Sequence, residues 1–541
     1  MAKAKTEQTS KARKNKKDDK GVSLEAILFN CRDYLRGSAS LNDKRDIILT
    51  LVFLRFIGEK FDDAQAEMRQ MCLDRGLSED KIAAFLNSPA RYKNIVFVPE
   101  AARWSKLINV PSTGLNAALD DALQAIDESG EALKGCVKLS LFTNVNIQPN
   151  DLKKVVDEVN KISHKTFGKE RDLIGRVYEY FLKSFAVNST KEDGEFYTPH
   201  DIVELIAAFI EPFDGTLYDP CCGSGGMFIQ CAKYVEAKQG DITGVNVFGQ
   251  EKDPATYRLA KMNLAIRGIS HHLGDSAKST FEKDHHAGMA FDYIMANPPF
   301  NLKHWFKQGI TEGVNWADYG TPPESNANYA WILHMLSKIK ADKGIAGFLL
   351  ANGALGDEDA KAIRQKLIEA DKVEAIIVLP RELFYTTDIS VTFWILNQNK
   401  KGGLHHGRSL RDRSGEILFM DLRTWTENPV KGEQKKKVEI KENQVNRAKE
   451  IYFRWQQEGT DGTTYAEPEL FRSVGLDELA DNDYSLVPSR YIEFVDRDQS
   501  IDYDKVLSET AVAVGEMIDL QQQNQTALAN AFTALGYELH K

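Results

Sequence analysis

The chain has few cysteines and no long apolar run. Six cysteines in 541 residues cannot form a disulfide scaffold, and no two have CxxC spacing. We therefore expect reduced thiols and a cytoplasmic protein. About eighteen consecutive apolar residues are needed to cross a bilayer, and because no such run occurs we expect no membrane span.

Several ligand-binding patterns are also missing. No GxxxxGK[ST] sequence occurs, which argues against an ATP-driven motor. The dinucleotide pattern GxGxxG fails at Phe228, where its third glycine would stand, and this counts against a nicotinamide enzyme. The histidine pairs lack the spacing of a metal site, so we expect no metal and interpret them as surface or loop residues: His271-His272, His285-His286 and His405-His406.

Positive charge is not in excess over the whole chain. The count is 69 Lys and Arg against 79 Asp and Glu, a net charge of −10. This balance argues against broad binding of nucleic acid by the chain alone. We expect residues 1–21 to form a disordered basic tail, which either solubilises the chain or touches nucleic acid.

The remaining sequence divides into three regions. Residues 22–163 show helical spacing of apolar residues, as in DIILTLVFLRFIGEKFDD, and predict a helical domain. Residues 164–430 alternate short apolar runs with helical stretches, which predicts an α/β catalytic domain with a Rossmann-like, doubly wound parallel sheet. Residues 431–541 form a C-terminal region.

A heptad pattern closes the chain. Leucine, valine and glutamine recur seven residues apart from Leu507 to Leu535, with Gln521 and Gln525 interrupting the apolar seam. The pattern predicts a helix that packs either on a partner subunit or on its own chain.

The informative residues follow the predicted strands, because ligands of such sheets bind at the carboxyl ends of strands. In TLYDPCCGSGGMF, Asp219 ends a strand and glycines 223, 225 and 226 lead into a helix. Glu251 follows the second strand, where an acid suits ribose hydroxyls, and Asp275 stands at the strand-to-loop junction of the third. A tight turn and surface acids are the alternative interpretation.

The fourth strand ends in ANPPFN. Two prolines fix the backbone there and donate no hydrogen bond. The alternative is a plain strand-to-loop turn. If the neighbouring ligand is S-adenosylmethionine, the Asn297 side chain and the Pro298 carbonyl could accept the two N–H groups of a base amine, while Phe300 stacks on the base.

These motifs resemble the amino-methyltransferases of DNA, and DPCCGSGGMF resembles in particular the modification subunit of type I restriction-modification systems. GEFYTPHDIVELI, the N-terminal helical stretch and NDYSLVPSRYIE also resemble that family, so the likeness spans about residues 22–541. Phe300 stands where many relatives have tyrosine, a change that preserves stacking.

The resemblance implies an S-adenosylmethionine-dependent adenine-N6 DNA methyltransferase that flips its target base. The implied catalytic residues are Asn297, Pro298, Pro299 and Phe300. The implied cofactor-binding residues are Tyr197, Thr198, Pro199, Asp219, Gly223, Ser224, Gly225, Gly226, Glu251 and Asp275. The implied partners are DNA, a restriction subunit and a specificity subunit that chooses the DNA sequence. The resemblance also implies two methyltransferase subunits for each specificity subunit.

Two other functions remain open from the sequence. The same NPPF residues could methylate a guanine amine of RNA or a glutamine amide of a protein. The chain could also bind the cofactor without turnover, as a scaffold.

Overall fold

A computed structural model describes most of the chain. The described residues are 23–92, 95–130, 133–162, 198–239, 244–305, 316–384, 389–425, 438–458, 465–495 and 503–536. The predicted basic tail and Tyr197 lie outside them. Among these residues, no helix combines the length and the apolar character needed to cross a bilayer. All six cysteines are free thiols.

The N-terminal region is helical, as predicted. Its helices are α1 (Leu24–Tyr34), α2 (Leu41–Asp74), α3 (Glu79–Leu86), α4 (Trp104–Leu107), α5 (Leu115–Asp127), α6 (Leu141–Asn144) and α7 (Pro149–Asn160). Ser40 caps α2 by accepting a hydrogen bond from the backbone N–H of Asp43. The apolar stripe of α2 is buried against α1, α4, α5 and α7 in one core.

A ten-stranded sheet forms the centre of the rest of the described chain. Its strands are β1 (Gly215–Asp219), β2 (Val245–Gly249), β3 (His271–His272), β4 (Tyr293–Ala296), β5 (Ile345–Ala351), β6 (Val373–Val378), β7 (Val391–Asn397), β10 (Glu416–Asp421), β11 (Ala466–Glu467) and β12 (Phe471–Gly475). A separate hairpin pairs β8 (Gly403–His405) with β9 (Arg408–Leu410).

Helices cover both faces of this sheet. They are α8 (His200–Ile210), α9 (Gly226–Gln239), α10 (Pro254–Ile266), α11 (Trp316–Tyr319), α12 (Asn328–Lys338), α13 (Lys361–Glu369), α14 (Glu442–Gln457) and α15 (Leu476–Asp481). One core lies between the sheet and α8, α9, α10 and α14, and a second lies between the sheet and α12 and α13. The fold is therefore Rossmann-like, as predicted.

The strand order is β11-β12-β10-β6-β7-β5-β4-β1-β2-β3. The prediction of a wholly parallel sheet is wrong in one respect, because β7 runs antiparallel to both β5 and β6, and β12 runs antiparallel to β10. No described helix separates β6 from β7, and a crossover helix is what parallel neighbours need. The order reverses between β1 and β4, and a ligand crevice is expected at such a point.

The sheet also crosses residue 430, the predicted end of the catalytic domain. Strands β11 and β12 extend the sheet beside β10, and α14 packs on it through Tyr452 and Trp455. The helical domain in turn contacts α10, where Met262 and Ile266 join its core. Lys60 Nζ donates to the Ile266 carbonyl over 2.6 Å across this contact.

The last described element is α16 (Tyr503–Ala534), a helix of 32 residues. From Asp504 onward each of its described residues is exposed. The helix of the heptad pattern is thus present. Within the described residues, this helix does not pack on the rest of its own chain, because its side chains are exposed.

Candidate active site

The first strand ends in a glycine loop at the predicted position. After Asp219 the chain turns through Gly223 and Gly225, whose φ angles of 54° and 77° lie in the left-handed region that glycine tolerates. Helix α9 then begins at Gly226, and the Ser224 carbonyl accepts a hydrogen bond from Asn263 Nδ2 at 2.9 Å. The loop therefore presents backbone and a helix N-terminus to the edge of the sheet.

Asp219 is a buried carboxylate held by its own loop. Its side chain accepts a hydrogen bond from the backbone N–H of Cys221 at 3.0 Å, and the Cys221 thiol lies 3.5 Å from the same oxygen. The residue is only 2% exposed. Burial raises the pKa of this carboxyl to about 7, against the lowering effect of the Cys221 hydrogen bonds.

Glu251 connects the first loop to the second. One of its carboxylate oxygens accepts from the backbone N–H of Gly223 at 3.0 Å, and the other accepts from that of Asp253 at 2.8 Å. Because β1 and β2 are parallel neighbours that pair Asp219 with Gly249, the two acids lie at adjacent strand ends. The structure thus brings Asp219, Gly223 and Glu251 together.

Asp275 lies in an exposed position after the short strand β3. Its loop is anchored by Tyr257, whose hydroxyl donates to the Gly274 carbonyl at 2.7 Å. The side chain of buried Gln250 donates to two further carbonyls of the following segment, those of Lys278 and Lys283. Asp275 therefore follows the strand that pairs with β2, on the side of the sheet where the parallel strands end.

Asn297 follows β4, the neighbour of β1 on its other side. Its side-chain NH₂ donates to the Thr198 hydroxyl at 2.9 Å. Its carbonyl oxygen, Oδ1, is shielded from solvent and has no hydrogen-bond partner among the described residues. Buried acceptors in proteins nearly always receive a hydrogen bond. A hydrogen-bond donor on a bound ligand would satisfy this one.

The aromatic residue of the motif has a partner that sequence reasoning missed. The Phe300 ring meets Phe384 edge to face, with centroids 6.0 Å apart and planes at 83°. Phe384 follows β6, and its position after a strand was the available signal. Two aromatic rings therefore border the fourth strand end.

The exit from the motif is also fixed by residues that the sequence did not single out. Asn301 has a φ of 54°, in the left-handed region. Its backbone N–H donates to Asn328 Oδ1 at 3.1 Å, and Asn328 Nδ2 donates back to Asn301 Oδ1 at 2.9 Å. Buried Asn328 thereby fixes the backbone immediately after Phe300.

The remaining predicted site residues are prolines 298 and 299, Thr198 and Pro199; Tyr197 lies outside the described residues. Pro298 is buried and Pro299 is half-buried after β4. Thr198 and Pro199 precede α8, with Pro199 at its N-cap. No metal-binding cluster of acidic, histidine or cysteine side chains is found within the described ranges. The histidine interpretation is wrong for His286, which is buried with its ring Nε2 2.9 Å from the Gly249 carbonyl. His272 and His406 are exposed, and His271 and His405 are half-buried in β3 and β8.

Comparison with known proteins identifies the family. A family model described as N-6 DNA methylase matches residues 169–500, and one described as the HsdM N-terminal domain matches residues 24–159. The chain belongs to the N-6 DNA methylase family. The chain is therefore an S-adenosylmethionine-dependent, adenine-specific DNA methyltransferase, as predicted. The match does not favour the alternatives of an RNA methyltransferase, a protein methyltransferase or a cofactor-binding scaffold.

Relatives of this N-6 DNA methylase match along most of their length. The methylase subunit of the type I restriction enzyme HindI from Haemophilus influenzae is 33% identical over 466 residues, which is 82% of this chain and all of the relative. The methylase subunit of the type I restriction enzyme MjaIX from Methanocaldococcus jannaschii is 29% identical over 95% of this chain and 92% of its own.

The fold is shared with a solved structure. The methyltransferase subunit of a type I restriction-modification system from Streptococcus thermophilus superposes with a TM-score of 0.66. The match covers 88% of this chain and the whole of the Streptococcus thermophilus chain, and the two sequences are 23% identical. This likeness supports the fold described above.

Proposed function

We propose that Asn297 Oδ1 and the Pro298 carbonyl accept the two N–H groups of the target adenine amine. The observation that supports this is the buried, unpartnered Asn297 Oδ1 at the end of β4. The amine of adenine is a poor nucleophile because its lone pair is delocalised into the ring. Two fixed acceptors favour a tetrahedral nitrogen as positive charge develops there.

The base must leave the duplex to reach this position. Extruding a paired base costs a few kcal/mol, and stacking on an aromatic side chain returns roughly 1–3 kcal/mol. We assign that stacking to Phe300, which Phe384 supports from the side. Pro299 and the Asn301–Asn328 hydrogen bonds keep the segment rigid on either side of the ring.

The acids at the neighbouring strand ends fit the cofactor chemically. S-adenosylmethionine carries ribose hydroxyls and cationic groups, and it supplies an electrophilic methyl when bound. We propose that the Glu251 carboxylate accepts hydrogen bonds from the ribose hydroxyls and that Asp219 faces a cationic group of the cofactor. Backbone at glycines 223, 225 and 226 and at Ser224 would line the site, together with Asp275, Tyr197, Thr198 and Pro199.

Replacing Asn297 tests the assignment. In Asn297→Ala, methyl transfer to DNA should fall roughly 100- to 1,000-fold, as when a preorganised transition-state hydrogen bond is lost. The affinity for S-adenosylmethionine, measured by titration calorimetry, should remain unchanged. Asn399→Ala is the matched control, because Asn399 lies beyond the end of β7, at the opposite edge of the sheet. Retention of about half the normal rate or more by Asn297→Ala would contradict the acceptor role.

We also propose that the chain works in the cytoplasm as the methyltransferase subunit of a type I complex. Its relatives are named as methylase subunits of type I restriction enzymes. The proposed assembly contains DNA, one specificity subunit for two copies of this chain, and a restriction subunit. Helix α16 is the proposed contact with the specificity subunit, because its exposed apolar residues include Leu507, Ile518 and Leu528.

A further inference from the structure

We propose that Gln250 is a positioning residue for the cofactor: its buried amide binds three loops together and holds them in the conformation that S-adenosylmethionine needs. The inference rests on the proposed cofactor site at the carboxyl ends of β1, β2 and β3. It adds to that site a residue that acts through its neighbours.

The backbone of Gln250 joins the first two strand ends. Gln250 directly follows β2, and its N–H donates to the Asp219 carbonyl at 3.1 Å. Its carbonyl accepts from the Cys222 N–H at 2.9 Å. These bonds continue the pairing of β1 with β2 beyond Asp219 and Gly249, so the loop after β1 and the loop that carries Glu251 are held side by side.

The side chain of Gln250 binds the third loop, and the residue is 0% exposed. Its amide NH₂ donates to the backbone carbonyls of Lys278 at 3.1 Å and Lys283 at 2.6 Å, while its carbonyl accepts from the His285 backbone N–H at 3.1 Å. Both amide protons and the amide oxygen are thus used. Because backbone carbonyls can only accept and a backbone N–H can only donate, these partners admit a single orientation of the amide.

The segment that this amide holds, residues 278–286, has further bonds to the first two loops. Its first backbone N–H donates to the Glu251 backbone carbonyl at 2.9 Å. The hydroxyl of buried Thr280 donates to the Pro220 carbonyl. Because this segment follows the loop of Asp275, its bonds fix the third loop to the other two.

Such bonds matter for affinity. A loop that is already ordered before a ligand arrives loses less conformational entropy when the ligand binds. Without the Gln250 amide, two backbone carbonyls and one backbone N–H would lose their partners, and the segment would hold its place less firmly. The expected consequence is weaker cofactor binding, with the chemistry of the bound complex largely unchanged.

Gln250→Met tests this role in the full-length chain. Methionine is similar in size and makes none of the three hydrogen bonds, so the dissociation constant for S-adenosylmethionine should rise by about 10- to 100-fold, the equivalent of two neutral hydrogen bonds. In titration calorimetry the binding entropy should become less favourable, because the loops are then ordered only on binding. At saturating cofactor, kcat for DNA methylation by the variant assembled with its specificity subunit should stay close to that of the wild type.

Thr280 supplies a second and milder variant. Thr280→Val keeps the shape of the side chain and removes only the bond to the Pro220 carbonyl, so the same dissociation constant should rise by about 3- to 10-fold, the usual value of one hydrogen bond. Thr280→Ser keeps the hydroxyl and should bind the cofactor nearly as well as the wild type. Because only one bond is removed, this series tests the segment even if Gln250→Met does not fold.

Gln456→Met is the matched control for a general loss of stability. Gln456 is also a buried glutamine, 3% exposed, and its amide donates to Glu374 at 2.9 Å near the start of β6. Because β6 runs in the same direction as β5 and β4, its start lies at the edge of the sheet opposite the strand ends. The control should therefore lower the melting temperature without changing the affinity for S-adenosylmethionine.

Unchanged cofactor affinity in Gln250→Met, or in Thr280→Val where the first variant does not fold, would overturn the role of Gln250. An equal loss of affinity in Gln456→Met would overturn it too, since the effect would then reflect stability alone. The proposed cofactor site fails separately, because normal binding of S-adenosylmethionine by Glu251→Ala refutes it. Weak binding by Glu251→Ala with normal binding by Gln250→Met would leave that site intact and remove only Gln250 from it.

Discussion

Single residues at the site have electrostatic properties that can be measured. In the free protein, burial raises the pKa of Asp219 to about 7. A carboxyl with a raised pKa binds a proton that the unfolded chain does not, so its contribution to stability falls as the pH rises from about 4 to 7. A cationic cofactor group favours the ionised form, and binding below pH 7 must therefore release a proton.

This gives a prediction for cofactor binding. Between pH 5.5 and 7, the affinity of the protein for S-adenosylmethionine should increase with pH, by up to about tenfold per unit because one proton is released. Titration calorimetry in buffers of different ionisation enthalpy would count the proton. In Asp219→Asn the affinity should be lower and should lose this slope. An unchanged slope in the variant would assign the released proton to another group.

Phe300 supports a second prediction at this scale. Phe300→Ala should weaken the flipped state by roughly 1–3 kcal/mol, the value of one base stacked on an aromatic ring. Phe300→Tyr and Phe300→Trp should remain active. A fluorescent adenine analogue at the target position should brighten when the wild-type complex binds and brighten less with the alanine variant. No brightening with the wild type would argue against base flipping.

Only part of the candidate site could be predicted from the sequence. Asp219, Gly223 and Glu251 were predictable because each lies at or shortly after the end of an apolar run, and parallel strands bring their ends together. The contacts of Phe300 with Phe384 and of Asn297 with Thr198 were not, because they join segments far apart in the chain. Side-chain pairing over such separations depends on the packing of whole elements.

At the scale of elements, the alternation of apolar runs and helices predicted the α/β fold. It did not predict the direction of β7, because a strand buried on both faces has the same apolar pattern in either direction. It also did not show that β11 and β12 join the sheet beyond residue 430. β11 has only two residues and β12 has only two apolar ones, Phe471 and Val474, so neither shows a clear strand pattern. Their position follows from the pairing of β12 with β10 and of β11 with β12.

The junction of β1 and β4 gives a prediction for stability. Asp292, just before β4, accepts hydrogen bonds from the Thr216 hydroxyl at 2.8 Å and from Lys340 Nζ at 2.8 Å, and Lys343 Nζ lies 3.0 Å away. Burial alone would raise the pKa of Asp292, but the hydrogen bonds from these partners outweigh it and lower the pKa. The stabilisation is therefore present above about pH 4 and is lost as the pH falls through the lowered pKa.

Asp292→Asn should accordingly destabilise the protein at neutral pH. The free energy of unfolding should fall by roughly 1.5–3 kcal/mol, the value of a hydrogen bond to a charged group. Denaturant titration at pH 7 would measure the loss, and titrations at lower pH should show the difference between variant and wild type decreasing below about pH 4. A difference that stays constant down to pH 3 would show that the charge of Asp292 is not the cause.

At the scale of the molecule, the described residues form a buried catalytic core and a long helix, α16, whose side chains are exposed. The exposed side chains of α16 include Leu507 at 65%, Ile518 at 49% and Leu528 at 55%. An apolar stripe of this length exposed to water is costly, and such stripes mark surfaces that partners cover. The glutamines at 521 and 525 interrupt the stripe, as polar residues do where they set the register of paired helices.

Deleting residues 503–541 should therefore separate chemistry from assembly. The strand-end site lies far upstream, and no described side chain of α16 is buried against it, so S-adenosylmethionine should bind with unchanged affinity. The truncated chain should fail to co-elute with the specificity subunit in size-exclusion chromatography and should lose site-specific methylation. Replacing Leu507, Ile518 and Leu528 together with glutamine should reproduce the loss in a full-length chain. Replacing the polar residues Glu509, Asp519 and Gln523 with alanine, the matched control, should leave assembly intact. If the truncated chain still forms a complete and active complex, the helical domain that contains α2 becomes the better candidate for the contact.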